Sequence, residues 1–280
     1  MDIKKKNKFR WNKVYSKTDK SDLINKIANF DSFLDEATIA DISWSGMYWG
    51  DLRHQLKGKK VLELGCGDGL NACIMERLGA TVIANDVSDE SGKLIQELKN
   101  KTACKNIEFL SDDFLNLHFA ENDFDYVVGK SFLHHLTEEM ESDFFKKILK
   151  ILKPAGEARF FEPAVNSKVF DYLRYLIPVK GRPSILQKKA FKKWKELDVH
   201  PNRNNSSRHY STFGKRFFNE VIIIPLGCLE KFHRILFTKN FQFNRKLRKL
   251  ALKSENFLPH FLRSYFARSQ TIIYREPKNK

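Results

Sequence analysis

Nowhere in these 280 residues does an apolar run approach the roughly 18 residues of a membrane-spanning helix. The longest, residues 221–226, is strand-sized. The N-terminus is polar and lysine-rich with no apolar segment behind it, so no secretory signal is expected. Cysteine is scarce. Cys66, Cys73, Cys104 and Cys228 show no paired metal-ligand spacing, so neither a disulfide nor a zinc site is inferred, and no catalytic metal is implied. Isolated reduced thiols suit a cytoplasmic protein. No internal repeat and no low-complexity segment interrupts the chain. What remains is a chain long enough for one α/β domain with insertions.

Acidic residues are also unevenly missing. The net charge is +16, yet residues 1–165 are close to neutral at −3, while residues 166–280 carry 26 Lys and Arg against 7 Asp and Glu. A basic half of this kind points to a polyanionic partner, whether a phospholipid surface, a nucleic acid or a phosphate-bearing substrate, or else to a solvated lysine-rich surface.

The most informative stretch is Glu63-Leu64-Gly65-Cys66-Gly67-Asp68-Gly69. An apolar strand-like segment precedes it, Val61-Leu62-Glu63-Leu64. Ala72, Ile74, Met75 and Leu78 follow with helical spacing up to Gly79. Strand, glycine turn and helix make half of a nucleotide-binding βα unit, in which backbone amides approach a ligand at a positive helix N-terminus. The dinucleotide fingerprint fails, because the residue three after Gly67 is Leu70. Nor is Gly129-Lys130-Ser131 a phosphate-binding loop, since Phe124 stands where that motif needs glycine.

Four more strands are expected. Val82-Ile83-Ala84-Asn85-Asp86 ends in an acid placed to grip a ribose diol. Ile107-Glu108-Phe109-Leu110 leads into Ser111-Asp112-Asp113-Phe114, and Phe124-Asp125-Tyr126-Val127-Val128-Gly129 into Lys130-Ser131-Phe132-Leu133-His134-His135. The fifth follows Leu152-Lys153-Pro154-Ala155-Gly156 and reads Glu157-Ala158-Arg159-Phe160-Phe161-Glu162-Pro163. Strands separated by helical spacers imply a parallel sheet.

This set, in this order over residues 59–163, resembles the class I S-adenosylmethionine-dependent methyltransferases. It is most similar to the small-molecule branch that includes the ubiquinone and menaquinone biosynthesis enzymes. The resemblance implies a Rossmann-like seven-stranded sheet, with Glu220-Val221-Ile222-Ile223-Ile224 as sixth strand and Ser269-Gln270-Thr271-Ile272-Ile273-Tyr274 as seventh. Three regions follow: an N-terminal arm and helical cap over 1–57, a cofactor-binding core over 58–165, and a basic region with helical insertions around the sixth strand over 166–280.

The resemblance also implies S-adenosyl-L-methionine as cofactor and assigns residues to it. Asp86 would hold the ribose hydroxyls, Asp112 or Asp113 would face the adenine amino group, and Phe114 would lie beside the base. Gly65, Cys66 and Gly67 would form the turn under the methionine half, with Glu63 orienting the loop or the cofactor's ammonium group. Gly129 and Lys130 would touch the methionine moiety, the lysine either reaching an acidic acceptor or pointing to solvent. Tyr15, in the aromatic opening Phe9-Arg10-Trp11-Asn12-Lys13-Val14-Tyr15, would fold over the cofactor.

His134 and His135 stand just past the fourth strand, at the carboxyl edge where such sheets bind ligands, and are candidate bases for an acceptor hydroxyl. Capping a helix or lining the cofactor pocket is their alternative role. His209 and Tyr210 are weaker candidates, and Glu162, Pro163 and Asn166 border the acceptor side in relatives.

The first ten residues read as a loose basic arm, with helices expected around residues 23–34 and 49–56. Trp44, Met47, Tyr48 and Trp49 either pack the cap on the sheet or line the acceptor pocket. In the second insertion, about 227–266, Phe243, Leu247, Leu250 and Ala251 share one helical face, and Phe257, Leu258, Phe261, Leu262, Tyr265 and Phe266 another. These basic amphipathic segments are expected to cover the acceptor and to touch an anionic membrane surface, which would make the protein peripheral there.

The expected activity is methyl transfer to a small-molecule or lipid/glycan-intermediate acceptor, with oxygen the favoured atom. An RNA methyltransferase using the basic half is the alternative. The absence of an Asn/Asp-Pro-Pro-aromatic signature after the fourth strand, and of any appended RNA-binding module, weighs against nucleic acid as partner. The acceptor's identity and the oligomeric state are not legible at this level.

Overall fold

Between Lys60 and Pro163 short apolar segments alternate with helical spacers, and the chain folds as that alternation dictates. A computed structural model describes residues 3–179, 182–198, 200–230 and 241–278. Five helices precede the sheet: α1 (Ile3–Tyr15), α2 (Lys20–Ala28), α3 (Phe30–Ala40), α4 (Ile42–Met47) and α5 (Leu52–Gln55). The core continues with β1 (Lys60–Leu64), α6 (Leu70–Arg77), β2 (Thr81–Asn85), α7 (Asp89–Lys101), β3 (Ile107–Leu110), β4 (Phe124–Lys130), α8 (Glu138–Ile151) and β5 (Leu152–Pro163). After it come α9 (Lys168–Arg174), α10 (Lys188–Glu196), α11 (Ser207–Gly214), β6 (Phe218–Leu226), α12 (Phe241–Glu255), α13 (His260–Phe266) and β7 (Ser269–Pro277).

The strands form one seven-stranded sheet in the order β3-β2-β1-β4-β5-β7-β6. β1 to β5 pair in parallel, and β7 lies antiparallel between β5 and β6. This is the expected α/β architecture, with β6 and β7 running further than their apolar runs suggested. β5 begins earlier than expected because Leu152 already pairs with Phe124. Residues 153–156 then form an irregularity before Glu157 resumes pairing opposite Tyr126. Pro154, which has no N–H to give a ladder, fits such an interruption.

Two apolar clusters fill the opposite faces. One packs α2, α3, α6 and α7 on the sheet through residues such as Leu34, Met47, Met75 and Leu98. The other packs α8 and α11 through Phe144, Phe145, Tyr210 and Phe213 against Phe160 and Tyr274. Arg159 is fully buried in β5. Its Nε donates to Glu157 Oε1 at 2.6 Å and its Nη1 to Met47 O at 3.2 Å, while Arg275 donates to the other Glu157 oxygen at 2.6 Å. Thr271 Oγ1 donates to Gly46 O at 2.8 Å, so β5 and β7 both hold the helical cap. Trp44, Met47 and Tyr48 are buried in this contact, which makes them packing residues, while Trp49 is exposed.

Three expectations need correction. The basic arm is helical from Ile3 onward. Contacts with distant segments hold it: Asn12 Oδ1 accepts from Ser88 Oγ at 2.7 Å, Arg10 donates to Leu197 O at 3.0 Å, and Lys8 pairs with Asp89 at 3.0 Å. The helix expected around 23–34 is two helices, because the chain breaks at Asn29, which ends α2 and precedes α3.

The third correction concerns α12, which docks by its charged side. Arg245 and Lys249 pair with Glu36, and Arg248 donates to Asp41 and Glu230, each at 3.1 Å. Phe243 and Leu250, on the apolar face expected to cover the acceptor and touch a membrane, are 51% and 62% exposed. Three ionised groups on one side outweigh a sparse apolar stripe when acids stand opposite. Residues 231–240 of this insertion lie outside the described residues. No described helix is long and apolar enough to cross a membrane.

Candidate active site

Gly65, Gly67 and Gly69 all adopt positive φ, which turns the chain sharply from β1 into α6. A β-carbon on Gly65 would lie 2.6 Å from the ring of Phe132, and one on Gly67 would lie 2.9 Å from the Tyr15 hydroxyl. Aromatic side chains therefore close on both glycines from outside the turn. The cleft that results opens at the carboxyl edge of the sheet and has about 920 Å³ of empty space, its mouth included. Among its lining residues are Asn7, Trp11, Tyr15, Gly65, Asp86, Asp113, Phe114, Lys130, Ser131, Phe132 and His135.

Asp86 follows β2 and is almost fully buried, with Oδ2 accepting from Gly67 N at 3.0 Å and Oδ1 from Ser88 N at 2.9 Å. Burial raises its carboxyl to about 6, against the pull of those backbone donors. Asp113 lines the cleft and caps the turn at Leu115 N, whereas Asp112 is exposed and bonds to Asp113 N and Asn116. Phe114 forms part of the wall and stacks within the core on Phe144, ring centroids 5.0 Å apart.

Glu63 sits behind the turn, out of the cleft lining. Oε1 accepts from Asn71 Nδ2 at 2.7 Å, and Asn71 in turn accepts from Tyr48 at 3.0 Å, which ties β1 to α6. Its Oε2 is buried without a partner, and burial lifts its carboxyl to about 8. Cys66 is buried in the core and Gly129 packs against Phe160. Lys130 directs its ammonium to the face of Trp44, 4.1 Å from the ring centroid, rather than into bulk solvent.

The turn after β4 is organised by one carboxylate. Glu162, fully buried at the end of β5, accepts from the backbone N–H groups of Phe132 (2.8 Å), Leu133 (2.6 Å) and His134 (3.3 Å). Its Oε2 also lies 2.6 Å from His134 Nδ1. That contact fixes the ring with Nδ1 as its N–H and leaves Nε2 as the acceptor. Arg203, from the segment between α10 and α11, clamps the same turn by donating to Leu133 O at 2.7 Å and Leu136 O at 3.0 Å, and it pairs with buried Glu141 at 2.7 Å. His135 lines the cleft edge-on to Trp11, its centroid 5.5 Å away. Burial and two neighbouring imidazoles lower its pKa to about 2, so it is a poor proton acceptor.

His209 pairs with Glu141 at 2.9 Å and stacks on Phe213, while the Tyr210 hydroxyl donates to Asn205. Neither residue lines the cleft. Asn166 links the two insertions through Ser207 and Ser264 O. Among the described residues, none of α12 or α13 lines this cleft. Trp11, Phe132 and Arg203 were not assigned to the site from sequence. Trp11 and Phe132 stand beside assigned residues, but nothing local marks Arg203.

Residues 61–156 match a family described as a methyltransferase domain. The ubiquinone biosynthesis O-methyltransferase of Thiobacillus denitrificans is 31% identical over 142 residues, which span 50% of this chain and 57% of that protein. The cypemycin N-terminal methyltransferase of a Streptomyces species is 32% identical over 112 residues, 39% of this chain and 44% of that protein. The chain thus spans about half the length of the curated relatives it matches. Among solved structures, phosphoethanolamine N-methyltransferase 2 of Haemonchus contortus, in complex with phosphomonomethylethanolamine and S-adenosylhomocysteine, superposes with a TM-score of 0.51 at 16% identity, covering 93% of this chain and 61% of that one. Geranyl diphosphate C-methyltransferase of Streptomyces coelicolor gives 0.51 at 13% identity, covering 81% and 73%. These two likenesses concern the fold. The matched methyltransferase domain runs from β1 into β5, and over that stretch the chain is similar to S-adenosylmethionine-dependent methyltransferases.

Proposed function

We propose that this chain binds S-adenosyl-L-methionine in the cleft beside the glycine turn and transfers its methyl group to a small-molecule or lipid/glycan-intermediate acceptor, on oxygen. The observation that carries the reading is the convergence of Asp86, Asp113 and the positive-φ turn on one cleft at the carboxyl edge of the sheet. The residues fit the cofactor. In this reading Asp86 would hold the ribose diol and Asp113 would face the adenine amino group, with Tyr15 over the turn.

When bound, the cofactor supplies a methyl carbon activated by a sulfonium, which an acceptor oxygen attacks in line as the C–S bond breaks. The chain's own work is alignment and proton removal. Alignment in a closed cleft supplies roughly 7–11 kcal/mol where geometry is ideal. His134 is not among the residues lining the cleft but adjoins His135, which is, and we assign its Nε2 to take the acceptor's proton, with Glu162 holding Nδ1 and stabilising the imidazolium that forms. A base of this kind contributes about 10²–10⁴-fold.

The acceptor reaches the protein at an anionic membrane surface. Phe170 of α9 meets Tyr265 of α13 at 5.8 Å, and Tyr172, Leu173 and Phe261 are exposed on the same two helices. Apolar side chains exposed within a basic half favour lipid over RNA, which offers no apolar surface of that extent.

Calorimetry on the purified chain tests the reading. S-adenosylmethionine and S-adenosylhomocysteine should bind, NAD should not compete, and folded Asp86→Ala should lose at least tenfold in affinity. Unchanged binding in that variant would overturn the assignment. Incubating host extract with methyl-labelled cofactor then identifies the acceptor.

A further inference from the structure

His200 lies 65 positions beyond His135, between α10 and α11, yet it completes a cluster with the histidine pair after β4. Ring centroids are 4.3 Å apart for His134 and His135, 5.0 Å for His134 and His200, and 4.5 Å for His135 and His200. One ligand nitrogen from each ring lies within 4.8 Å of the other two.

Three features mark the cluster as more than a ring stack. Glu162 holds Nδ1 of His134, and Asp198 holds Nδ1 of His200. A carboxylate behind an imidazole fixes its tautomer, turns the opposite nitrogen outward and makes it more basic, which is the usual backing of metal-binding histidines. The third ring, His135, has a buried Nδ1 with no hydrogen-bond partner. A buried polar atom left without a partner is costly unless something occupies its lone pair.

We propose that His134, His135 and His200 form a binding site for a divalent transition metal at the mouth of the cleft. Three nitrogen donors suit Zn²⁺, Co²⁺ or Ni²⁺ and select against Mg²⁺ and Ca²⁺, which prefer oxygen. A Zn–N bond of about 2.0–2.1 Å requires the nitrogens to approach to roughly 3.3 Å in a tetrahedral site. The exposed His200 ring, on a connection between helices, supplies that closure. Three protein ligands leave one position open at the entrance to the cleft. The consequence for catalysis rests on the methyltransferase reading. An ion there would lower the pKa of an acceptor hydroxyl, whose proton would pass to solvent water instead of to Nε2 of His134, which would then be a ligand.

The test reads metal binding itself. Untagged protein, stripped with chelator, is titrated with Co²⁺ while visible d–d absorption is followed, and with Zn²⁺ by equilibrium dialysis. One equivalent per chain is expected, with affinity reduced at least tenfold in His200→Ala and unchanged in His118→Ala. His200 is exposed, so its removal should leave the fold intact, and S-adenosylmethionine calorimetry on the same samples checks this. No stoichiometric Co²⁺ or Zn²⁺ binding by wild type, or equal binding by folded His200→Ala, overturns the site. Metal binding without cofactor binding would uphold the site and sink the methyltransferase reading, so the two fail separately.

Discussion

The Tyr15 hydroxyl stands over Gly67, 2.9 Å from where a β-carbon on that glycine would be. The first helix of the chain and the first loop of the sheet therefore share one small contact. Gly67 also holds φ at +59°, where a non-glycine residue costs about 1–2 kcal/mol. Gly67→Ala should lower the thermal midpoint and weaken S-adenosylmethionine at least tenfold by calorimetry. Tyr15→Ala should weaken binding without the loss of stability. Cofactor affinity at the wild-type level in both variants would remove this contact from the site.

Glu63 and Asp86 make stability depend on pH in a direction opposite to that of ordinary paired carboxylates. Burial raises Glu63 to about 8 and Asp86 to about 6, both above their unfolded values. Between the unfolded and folded values the native state holds protons that the unfolded chain has released. Raising the pH through that window therefore favours unfolding, by at most about 1.4 kcal/mol per pH unit for each group. Below pH 4 both states are protonated and the contribution is complete. Denaturant melts of the ligand-free protein should show stability falling from pH 5 to pH 8, and Glu63→Gln should flatten much of that slope. A wild-type profile that rises over this range would contradict the protonated state of Glu63.

Glu162 serves three backbone donors and one imidazole, so its two roles separate by substitution. Glu162→Gln keeps an acceptor for the backbone but loses the charge behind His134. Turnover should fall by one to three orders of magnitude while cofactor affinity changes little. His134→Ala should lose about 10²–10⁴-fold in turnover. Full activity in both would leave alignment alone as the source of rate.

Arg203 is expected to matter for stability. It holds two carbonyls of the turn after β4 and neutralises Glu141, which is fully buried. Arg203→Ala strands that carboxylate and should cost about 3–5 kcal/mol in denaturant unfolding. A loss under 1 kcal/mol would show that His209 alone suffices for Glu141.

At the surface, Phe261→Ser with Tyr172→Ser should abolish sedimentation with phosphatidylserine vesicles at high salt, where charge attraction is screened. Wild type should remain bound there, equally to anionic and zwitterionic vesicles, and should favour the anionic vesicles only at low salt. If wild type sediments with neither vesicle type, the exposed aromatics serve some other contact.

What could be read in advance divides along the chain. The strands and acids of the core were legible because each is announced locally, by an apolar run, a glycine turn or a carboxylate at a strand end. α1 was misread because lysines dominate its first turns and its anchors, Ser88, Asp89 and Leu197, lie in other segments. The side by which α12 docks was not legible for the same reason. Its apolar spacing is visible in sequence, but Glu36 and Asp41, which draw Arg245 and Arg248 inward, stand some 200 positions earlier. His200 carries no local sign of the pair it joins. Side chains whose partners are distant in sequence are not announced by any periodicity.

The place of β7 has a consequence for biosynthesis. It is made after the other six strands of the sheet, yet it lies between β5 and β6, and its Arg275 joins Glu157 across 118 positions. While the ribosome is still producing the two insertions, β5 presents an open edge and β6 has no neighbour on the sheet. Thr271 has not yet arrived to hold the cap at Gly46. The nascent chain therefore passes through a stage with exposed strand edges, the state most prone to aggregation and most in need of a holding chaperone. Loss of the chain from Ser269 onward would make that stage permanent, leaving β5 with an open edge and β6 without a partner.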